Sequence, residues 1–167
     1  MNCNNINILL AYDDIDDCMF FKEALEELQL QTTFTAVHDG EQLMQILTKK
    51  SNEIFHLLFL DLNMPRKNGF TCLKEIKQSE KTKSLPVIIF STSFDNSITD
   101  QLYKNGAQHC ICKPSDFCEL KKIIQIALAL VAHKNIAQPP LESFFLNSMK
   151  EILFWYETNS NYKQRSC

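Results

Sequence analysis

Asp61 is the residue of this chain that is best placed to carry out chemistry. It directly follows the apolar run at 56–60 and precedes a Leu-Asn-Met-Pro segment. A short apolar run that ends in an acid and then a proline predicts a buried strand with one carboxylate on the loop at its C-terminal end. In an open parallel α/β sheet, ligands bind at that edge. The alternative, from this stretch alone, is that Asp61 merely caps a turn.

Polar groups also follow three other apolar runs. The candidate residues, in chain order, are Asp13, Asp14, Asp61, Ser91 or Thr92, and Lys113. Crowded carboxylates repel each other and need a cation or protons nearby, and oxygen ligands in a small site favour Mg²⁺. A lysine can hold a phosphoryl oxygen as a point charge. This set predicts transfer of a phosphoryl group onto Asp61, with the metal and Lys113 neutralising the charge of the transferred group.

The elements that must position these residues alternate between strand and helix. Predicted strands lie at residues 6–11, 33–37, 56–61, 86–90 and 108–112. Predicted helices lie at about 16–28, 41–49, 97–104 and 116–133, with one more after Gly69, and Asp16 or Asp17 caps the first. Five alternating strands and helices predict an α/β fold whose parallel sheet is covered by helices on both faces.

The bulk properties disfavour several classes of function. The chain has 167 residues, a formal net charge of −3 and only isolated lysine pairs, so nucleic-acid binding has little electrostatic support. The longest apolar stretch, at 123–132, is too short to span a bilayer, and the N-terminus lacks the pattern of a secretory signal. The seven scattered cysteines are most simply explained as reduced thiols. We therefore expect a cytoplasmic protein without a nucleic-acid or membrane partner.

The regular pattern ends at Pro139-Pro140, and an apolar extension follows. We divide the chain into a main domain at 1–133, a linker at 134–140 and a C-terminal extension at 141–167. Apolar residues of the extension fit one side of a helix, namely Phe144, Phe145, Met149, Ile152, Leu153 and Tyr156. The extension is too apolar for a disordered linker. It either packs back on its own domain or supplies a contact to another subunit or partner.

Taken together, these residues resemble the receiver domain of two-component response regulators. The resemblance covers about residues 5–132 and is carried by Asp13, Asp61 with Asn63-Met64-Pro65 and Gly69, Ser91, and Lys113-Pro114. The chain is most similar to small stand-alone receivers, such as those paired with bacterial phytochrome kinases. The resemblance implies a flavodoxin-like, doubly wound sheet of five strands in the order 2-1-3-4-5.

The family's phosphoacceptor and metal ligands carry over onto matching positions. The resemblance implies that Asp61 accepts a phosphoryl group from a partner histidine kinase or phosphotransfer protein. It also implies that Asp13 and Asp61 bind Mg²⁺ through their side chains and Asn63 through its backbone carbonyl. Asp14 is a further candidate ligand.

The resemblance also assigns the residues that contact the transferred group. Ser91 and Lys113 contact the phosphoryl oxygens, and the Lys113–Pro114 bond is expected to be cis. Such a protein is not an enzyme beyond slow autodephosphorylation. It signals through a downstream protein target, and a homodimer through the C-terminal extension or the face of helix four and strand five is a further expectation.

Two residues depart from the family pattern. Tyr12 stands where receivers carry the first of two acids, so Mg²⁺ binding should be weaker unless a one-residue shift brings Asp14 into its place. Cys110 stands three residues before Lys113, where many receivers have an aromatic ring that rotates inward. Both departures support the alternative of a pseudo-receiver that binds a partner constitutively. A phosphoaspartate hydrolase is disfavoured because Asn63 replaces the general acid/base of such enzymes.

Overall fold

Strands and helices alternate along the chain as the sequence predicts. The computed structural model describes residues 5–49, 54–92, 94, 96–132, 138–146, 154 and 157. Its strands are β1 Ile6–Ala11, β2 Thr32–Val37, β3 Leu57–Leu60, β4 Val87–Ser91, β5 His109–Cys112 and β6 Phe145–Leu146. Its α-helices are α1 Ile15–Glu27, α2 Gly40–Thr48, α3 Gly69–Gln78, α4 Asn96–Lys104 and α5 Phe117–Ala132, and a 3-10 turn spans Leu141–Ser143.

All six strands form one parallel sheet in the order β2-β1-β3-β4-β5-β6. The flavodoxin-like order predicted for the first five strands is confirmed. Neighbouring strands end level with each other, since Ala11 pairs with Leu60 and Ser91 pairs with Cys112. The loops that follow β1, β3, β4 and β5 therefore open at the same edge of the sheet.

The C-terminal extension adds a strand where the spacing of its aromatic residues predicts a helix. Phe145 and Leu146 pair with Cys110 and Ile111 of β5, and Phe144 follows the 3-10 turn. The helix prediction is therefore wrong for Phe144 and Phe145, because the open edge of β5 offers hydrogen-bonding partners to an extended backbone. The remaining positions of the predicted helical stripe lie outside the described residues.

Two apolar cores lie on opposite faces of the sheet. Strand β1 divides its side chains between them: Ile8 and Leu10 face the core under α1 and α5, whereas Leu9 and Ala11 face the core under α2, α3 and α4. Full burial of each such leucine or isoleucine contributes roughly 1.5–3 kcal/mol. Burial on both faces explains why these strands read as continuous apolar runs. No described helix is long and apolar enough to cross a bilayer.

Asp14, and not Asp16 or Asp17, caps helix α1. Its side-chain oxygen accepts hydrogen bonds from the backbone N–H groups of Asp16 and Asp17. The prediction is corrected because the cap is the last residue with an extended backbone before the helix. Asp16 and Asp17 instead lie in the first turn, where the helix dipole favours their negative charge.

Candidate functional site

The candidate residues lie at one edge of the sheet because the strands that carry them end level with each other. Backbone pairing continues past the strand ends: the Asp61 N–H donates to the Ala11 carbonyl at 3.0 Å, and the Lys113 N–H donates to the Ser91 carbonyl at 2.9 Å. Since β3, β4 and β5 are consecutive neighbours in the sheet, Asp61, Ser91 and Lys113 lie at the C-terminal ends of adjacent strands. The same edge carries the acidic loop after β1.

Asp61 is a buried carboxyl group, only 6% exposed. Burial raises its pKa above the usual 3.8, and the negative charge of Asp13 acts in the same direction. Hydrogen bonds from the backbone N–H groups of Asn63 and Leu62 oppose the rise, and the Asn63 nitrogen lies 3.3 Å from Asp61 Oδ1. The group is thus partly desolvated yet met by donors, as suits a carboxylate nucleophile.

Ser91 is fully buried at the end of β4, beside Asp61. Its hydroxyl is close enough to help lower the Asp61 pKa. Within the described part of the chain, however, its Oγ makes no hydrogen bond of ordinary geometry. A buried polar group without a full partner costs about 1–3 kcal/mol. An oxygen-rich group on Asp61 would supply the missing partner.

Helix α1 and Tyr12 hold the side chain of Lys113. Its ammonium group donates to the Asp17 carboxylate at 2.7 Å and lies 3.5 Å from the centroid of the Tyr12 ring. The Tyr12 hydroxyl donates to the same Asp17 oxygen at 3.0 Å. None of the ion pairs between described residues joins Lys113 to Asp61.

Burial is the largest influence on the pKa of Lys113 and on that of Asp17. It lowers the pKa of Lys113 to about 8. At Asp17, burial and the neighbouring acids raise the pKa in spite of the ion pair. A cavity of about 150 Å³ adjoins the three side chains, so the lysine has space to move. Sequence reasoning missed this arrangement because Lys113 and Asp17 are 96 residues apart and no spacing rule links them.

The Lys113–Pro114 peptide bond is trans, as are all peptide bonds in the described ranges. The cis bond implied by the family resemblance is therefore wrong for this structure. The trans isomer is the lower in free energy for X–Pro bonds, by about 0.5–1 kcal/mol.

The acidic loop after β1 offers fewer free ligands than its sequence indicates. Asp14 is engaged at the cap of α1, while Asp13 is exposed and near enough to raise the Asp61 pKa. Among the described residues, no group of three or more His, Cys, Asp and Glu side chains is arranged to hold a metal ion. Two acids and a backbone carbonyl still suit Mg²⁺, because this ion retains several waters.

Close contacts fix the loop that follows Asp61. A Cβ added at Gly69 would lie 2.0 Å from the Asp61 carbonyl oxygen, and the Gly69 N–H donates to the Leu62 carbonyl at 3.0 Å. Farther along the loop, Arg66 forms a 2.9 Å ion pair with buried Asp39, the cap of α2. Sequence reasoning singled out Gly69, but it did not indicate Arg66 or its ion pair with Asp39.

Comparison with known proteins points to one family. Residues 8–125 match the sequence model of the response regulator receiver domain. The probable chemotaxis protein CheY of Rhizobium etli is 28% identical over 120 residues, which is 72% of this chain and 90% of the relative. The phosphorylated cyanobacterial phytochrome response regulator RcpA has a TM-score of 0.71 at 26% identity, covering 78% of this chain and 96% of RcpA. The Mn²⁺-bound form of response regulator Rcp1 has a TM-score of 0.67 at 26% identity, and the match covers 80% of this chain and 99% of Rcp1.

Proposed function

Because the chain belongs to the response regulator receiver family of two-component systems, we propose that it is a receiver phosphorylated on Asp61. A partner histidine kinase or phosphotransfer protein donates the group, and the protein signals through a downstream protein. We assign the receiver to residues 1–133 and treat 134–140 and 141–167 as a linker and an appended segment. Cys18, Cys72 and Cys110 are buried free thiols, which fits a reducing cytoplasm.

The buried pair of Asp61 and Ser91 is the observation that carries this proposal. Asp61 meets the Asn63 N–H, and the Ser91 hydroxyl beside it has no ordinary hydrogen bond within the described ranges. In the proposed reaction an Asp61 oxygen attacks phosphorus, and the bond from phosphorus to the donor's histidine nitrogen breaks. The imidazole leaves with the bonding electrons and takes up a proton. Ser91 then donates to an oxygen of the new phosphoryl group.

The oxygen donors at this edge fit a hard divalent cation. The Asp13 and Asp61 carboxylates and the Asn63 carbonyl would hold Mg²⁺, and we leave Asp14 outside because it caps α1. The repulsion by which Asp13 raises the Asp61 pKa is the kind that a cation relieves. When bound, the ion offsets negative charge on phosphoryl oxygens. The Mn²⁺-bound form of the similar Rcp1 supports a divalent ion here.

Lys113 completes the proposed site by changing its partner. Its ammonium group lies on Asp17 at 2.7 Å. A phosphoryl group carries more negative charge than one carboxylate, so it would compete with Asp17 for the lysine. When the Lys113 ammonium group moves from Asp17 to the phosphoryl oxygens, its positive charge stabilises the phosphorylated form.

An exposed apolar patch beside this edge supports docking of another protein. Ile15, Met19 and Phe20 of α1 are 62%, 58% and 40% exposed. The Phe20 ring packs on Phe117 with centroids 4.7 Å apart, so the patch extends to the start of α5. Apolar patches near a reactive group are typical of protein-binding surfaces.

Incubation with Mg²⁺ and acetyl phosphate tests the proposal. Intact-mass spectrometry should show the gain of one phosphoryl group in the wild-type protein and in Asp100→Asn, which removes an exposed acid of α4. Asp61→Asn should show no gain. A wild-type protein that gains no phosphoryl group and does not bind beryllofluoride would overturn the proposal.

The second candidate is a pseudo-receiver that binds its partner constitutively. Two observations favour it: Tyr12 replaces an acid, and Asp17 already holds Lys113. Titration with Mg²⁺, followed by chemical shifts of the acidic loop, separates the candidates, because only the receiver requires the ion. The receiver should lose its phosphoryl group slowly, since Asn63 cannot act as a general acid or base.

The homodimer is part of the same proposal, through the C-terminal extension or the face of α4 and β5. Size-exclusion chromatography with light scattering, with and without beryllofluoride, measures both assembly and its dependence on the phosphorylated state. An unchanged monomer mass in both conditions would remove the homodimer and leave phosphorylation of Asp61 untouched.

A further inference from the structure

Residues 138–146, which we name the C-terminal strap, close the open edge of β5. Phe145 and Leu146 pair with Cys110 and Ile111, and the Cys110 N–H donates to the Phe144 carbonyl at 3.0 Å. Phe144 is completely buried. The strap therefore packs into both apolar cores, Phe144 and Phe145 into the core under α2, α3 and α4 and Leu146 into the core under α1 and α5. It pairs in the sheet with Cys110, which stands where many receivers have an aromatic ring.

Contacts on the strap reach α4 and the loop before it. The Phe144 and Tyr103 rings lie 5.1 Å apart, and the Phe145 and Phe94 rings lie 5.2 Å apart, both in edge-on arrangements. The Gln138 amide donates to the Tyr103 carbonyl at 2.8 Å and to the Ala107 carbonyl at 2.7 Å. The strap is thus held at both ends by groups outside β5.

One of these contacts lies close to the proposed phosphorylation site. Phe94 comes three residues after Ser91, the buried hydroxyl beside Asp61. Ser91 therefore lies beside Asp61, and Phe94, three residues later, contacts the Phe145 ring. This short stretch of chain links the proposed site to the strap. Edge-on ring pairs depend on geometry, so a displacement of this loop weakens the contact with the strap.

We propose that the strap is the output element of this receiver: it is seated on β5 when Asp61 is unmodified and is released when Asp61 is phosphorylated. The inference rests on the proposed function and adds to it the element whose position changes on phosphorylation. Ser91 gains a hydrogen-bond partner on the phosphoryl group, and its movement toward Asp61 draws Phe94 away from Phe145. Cys110 has no ring to rotate, so the Phe144 and Phe145 rings replace that device.

The reactivity of Cys110 reports directly on strap release. Its thiol is completely buried, and burial raises its pKa, so alkylation requires opening of the strap. Cys72 is an internal reference, because it is equally buried but lies on α3. Peptide mass spectrometry of a maleimide time course follows the two residues separately.

The experiment compares the full-length protein with and without beryllofluoride, whose binding is measured independently by fluorine NMR. Bound beryllofluoride should raise the Cys110 labelling rate about tenfold or more, as expected for a local opening, and leave Cys72 unchanged. Binding without any change at Cys110 would overturn the strap proposal alone. Failure of beryllofluoride to bind would instead count against the proposed function.

Phe145→Ala provides a second test that does not depend on phosphorylation. Loss of the ring should raise Cys110 labelling in the unmodified protein and shrink the beryllofluoride effect. Leu141→Ala is the matched control, since Leu141 lies in the same strap but is 48% exposed; it should behave as wild type. Equal Cys110 rates in Phe145→Ala and Leu141→Ala would contradict the proposal, and unchanged Cys72 protection shows that each variant is folded.

Discussion

The ammonium group of Lys113 and the carboxylate of Asp17 form an ion pair at 2.7 Å, and Tyr12 binds the same carboxylate oxygen. The lysine that, in the proposed function, contacts the phosphoryl group on Asp61 is therefore already paired with Asp17 before phosphorylation. The Asp17 side chain is 49% exposed and that of Lys113 only 12% exposed, so the pair lies at the boundary of solvent. Its free energy should be small enough for a phosphoryl group to displace it.

Asp17→Asn should accelerate phosphorylation by acetyl phosphate. The substitution removes the competing charge, and an exposed ion pair contributes about 0.2–1 kcal/mol, which corresponds to at most about a fivefold change in rate. Time-resolved intact-mass spectrometry measures the rate. Asp16→Asn is the control, because it removes a neighbouring acid that forms no described ion pair with Lys113; equal rates in the two variants would refute the competition.

Tyr12→Asp should strengthen Mg²⁺ binding. The substitution places a second carboxylate beside Asp13, and the added negative charge attracts the bound Mg²⁺. Isothermal titration calorimetry with Mg²⁺ should give a dissociation constant lower than that of wild type. Tyr12→Phe keeps the ring under Lys113 and removes only the hydroxyl that binds Asp17, so its Mg²⁺ affinity should not change. A Tyr12→Asp protein with wild-type affinity would show that Tyr12 does not occupy a ligand position.

Gly69→Ala should destabilise the fold and impair phosphorylation together. The added Cβ would lie 2.0 Å from the Asp61 carbonyl oxygen, so the backbone at Asp61 must shift, at a cost of about 1–3 kcal/mol. Urea unfolding measures the loss, and labelling by acetyl phosphate measures activity at a temperature where the variant is folded. Thr71→Ala, on the same helix, should change both far less.

Asp61→Asn should stabilise the protein at neutral pH. Burial raises the Asp61 pKa in the folded protein, so the unfolded chain ionises first, and stability falls as the pH rises through the folded-state pKa. The amide removes this penalty. Urea unfolding of both proteins should show a difference at pH 7 that disappears below the unfolded-state pKa of about 3.8, where both states are protonated.

A stability difference between the two proteins that is constant at every pH would show that it comes from packing rather than from ionisation.

The burial of Asp61 predicts a second effect, on the rate of the reaction. Phosphorylation needs the ionised carboxylate, so the rate with acetyl phosphate should fall as the pH drops through the raised pKa of Asp61.

The strands and their terminal residues could be predicted because burial constrains them most. A strand covered on both faces must be a short apolar run, and the polar residue after it must lie at the edge of the sheet. Asp61, Ser91 and Lys113 each follow such a run. The order of the strands came from the family resemblance, since an apolar run alone does not define its neighbours.

The pairing of Lys113 with Asp17 could not be predicted, because a salt bridge between distant loops leaves no periodic pattern in the sequence. The strand in the C-terminal strap was missed for another reason. Two residues are too few to show an alternating pattern, and adjacent aromatic residues fit a helix equally well. The available hydrogen bonds along β5 decided the structure there.

The position of β6 also bears on how the protein must be handled. The edge strand β2 carries Thr32, Thr33 and Thr35, whereas β5 is the segment His109–Cys112, in which two of the four residues are cysteines. A chain shortened before Gln138 would leave the edge of β5 unpaired and would expose the apolar surface that packs around Phe144. Unprotected strands of this kind pair between molecules, so the shortened protein should be prone to insoluble aggregation on concentration.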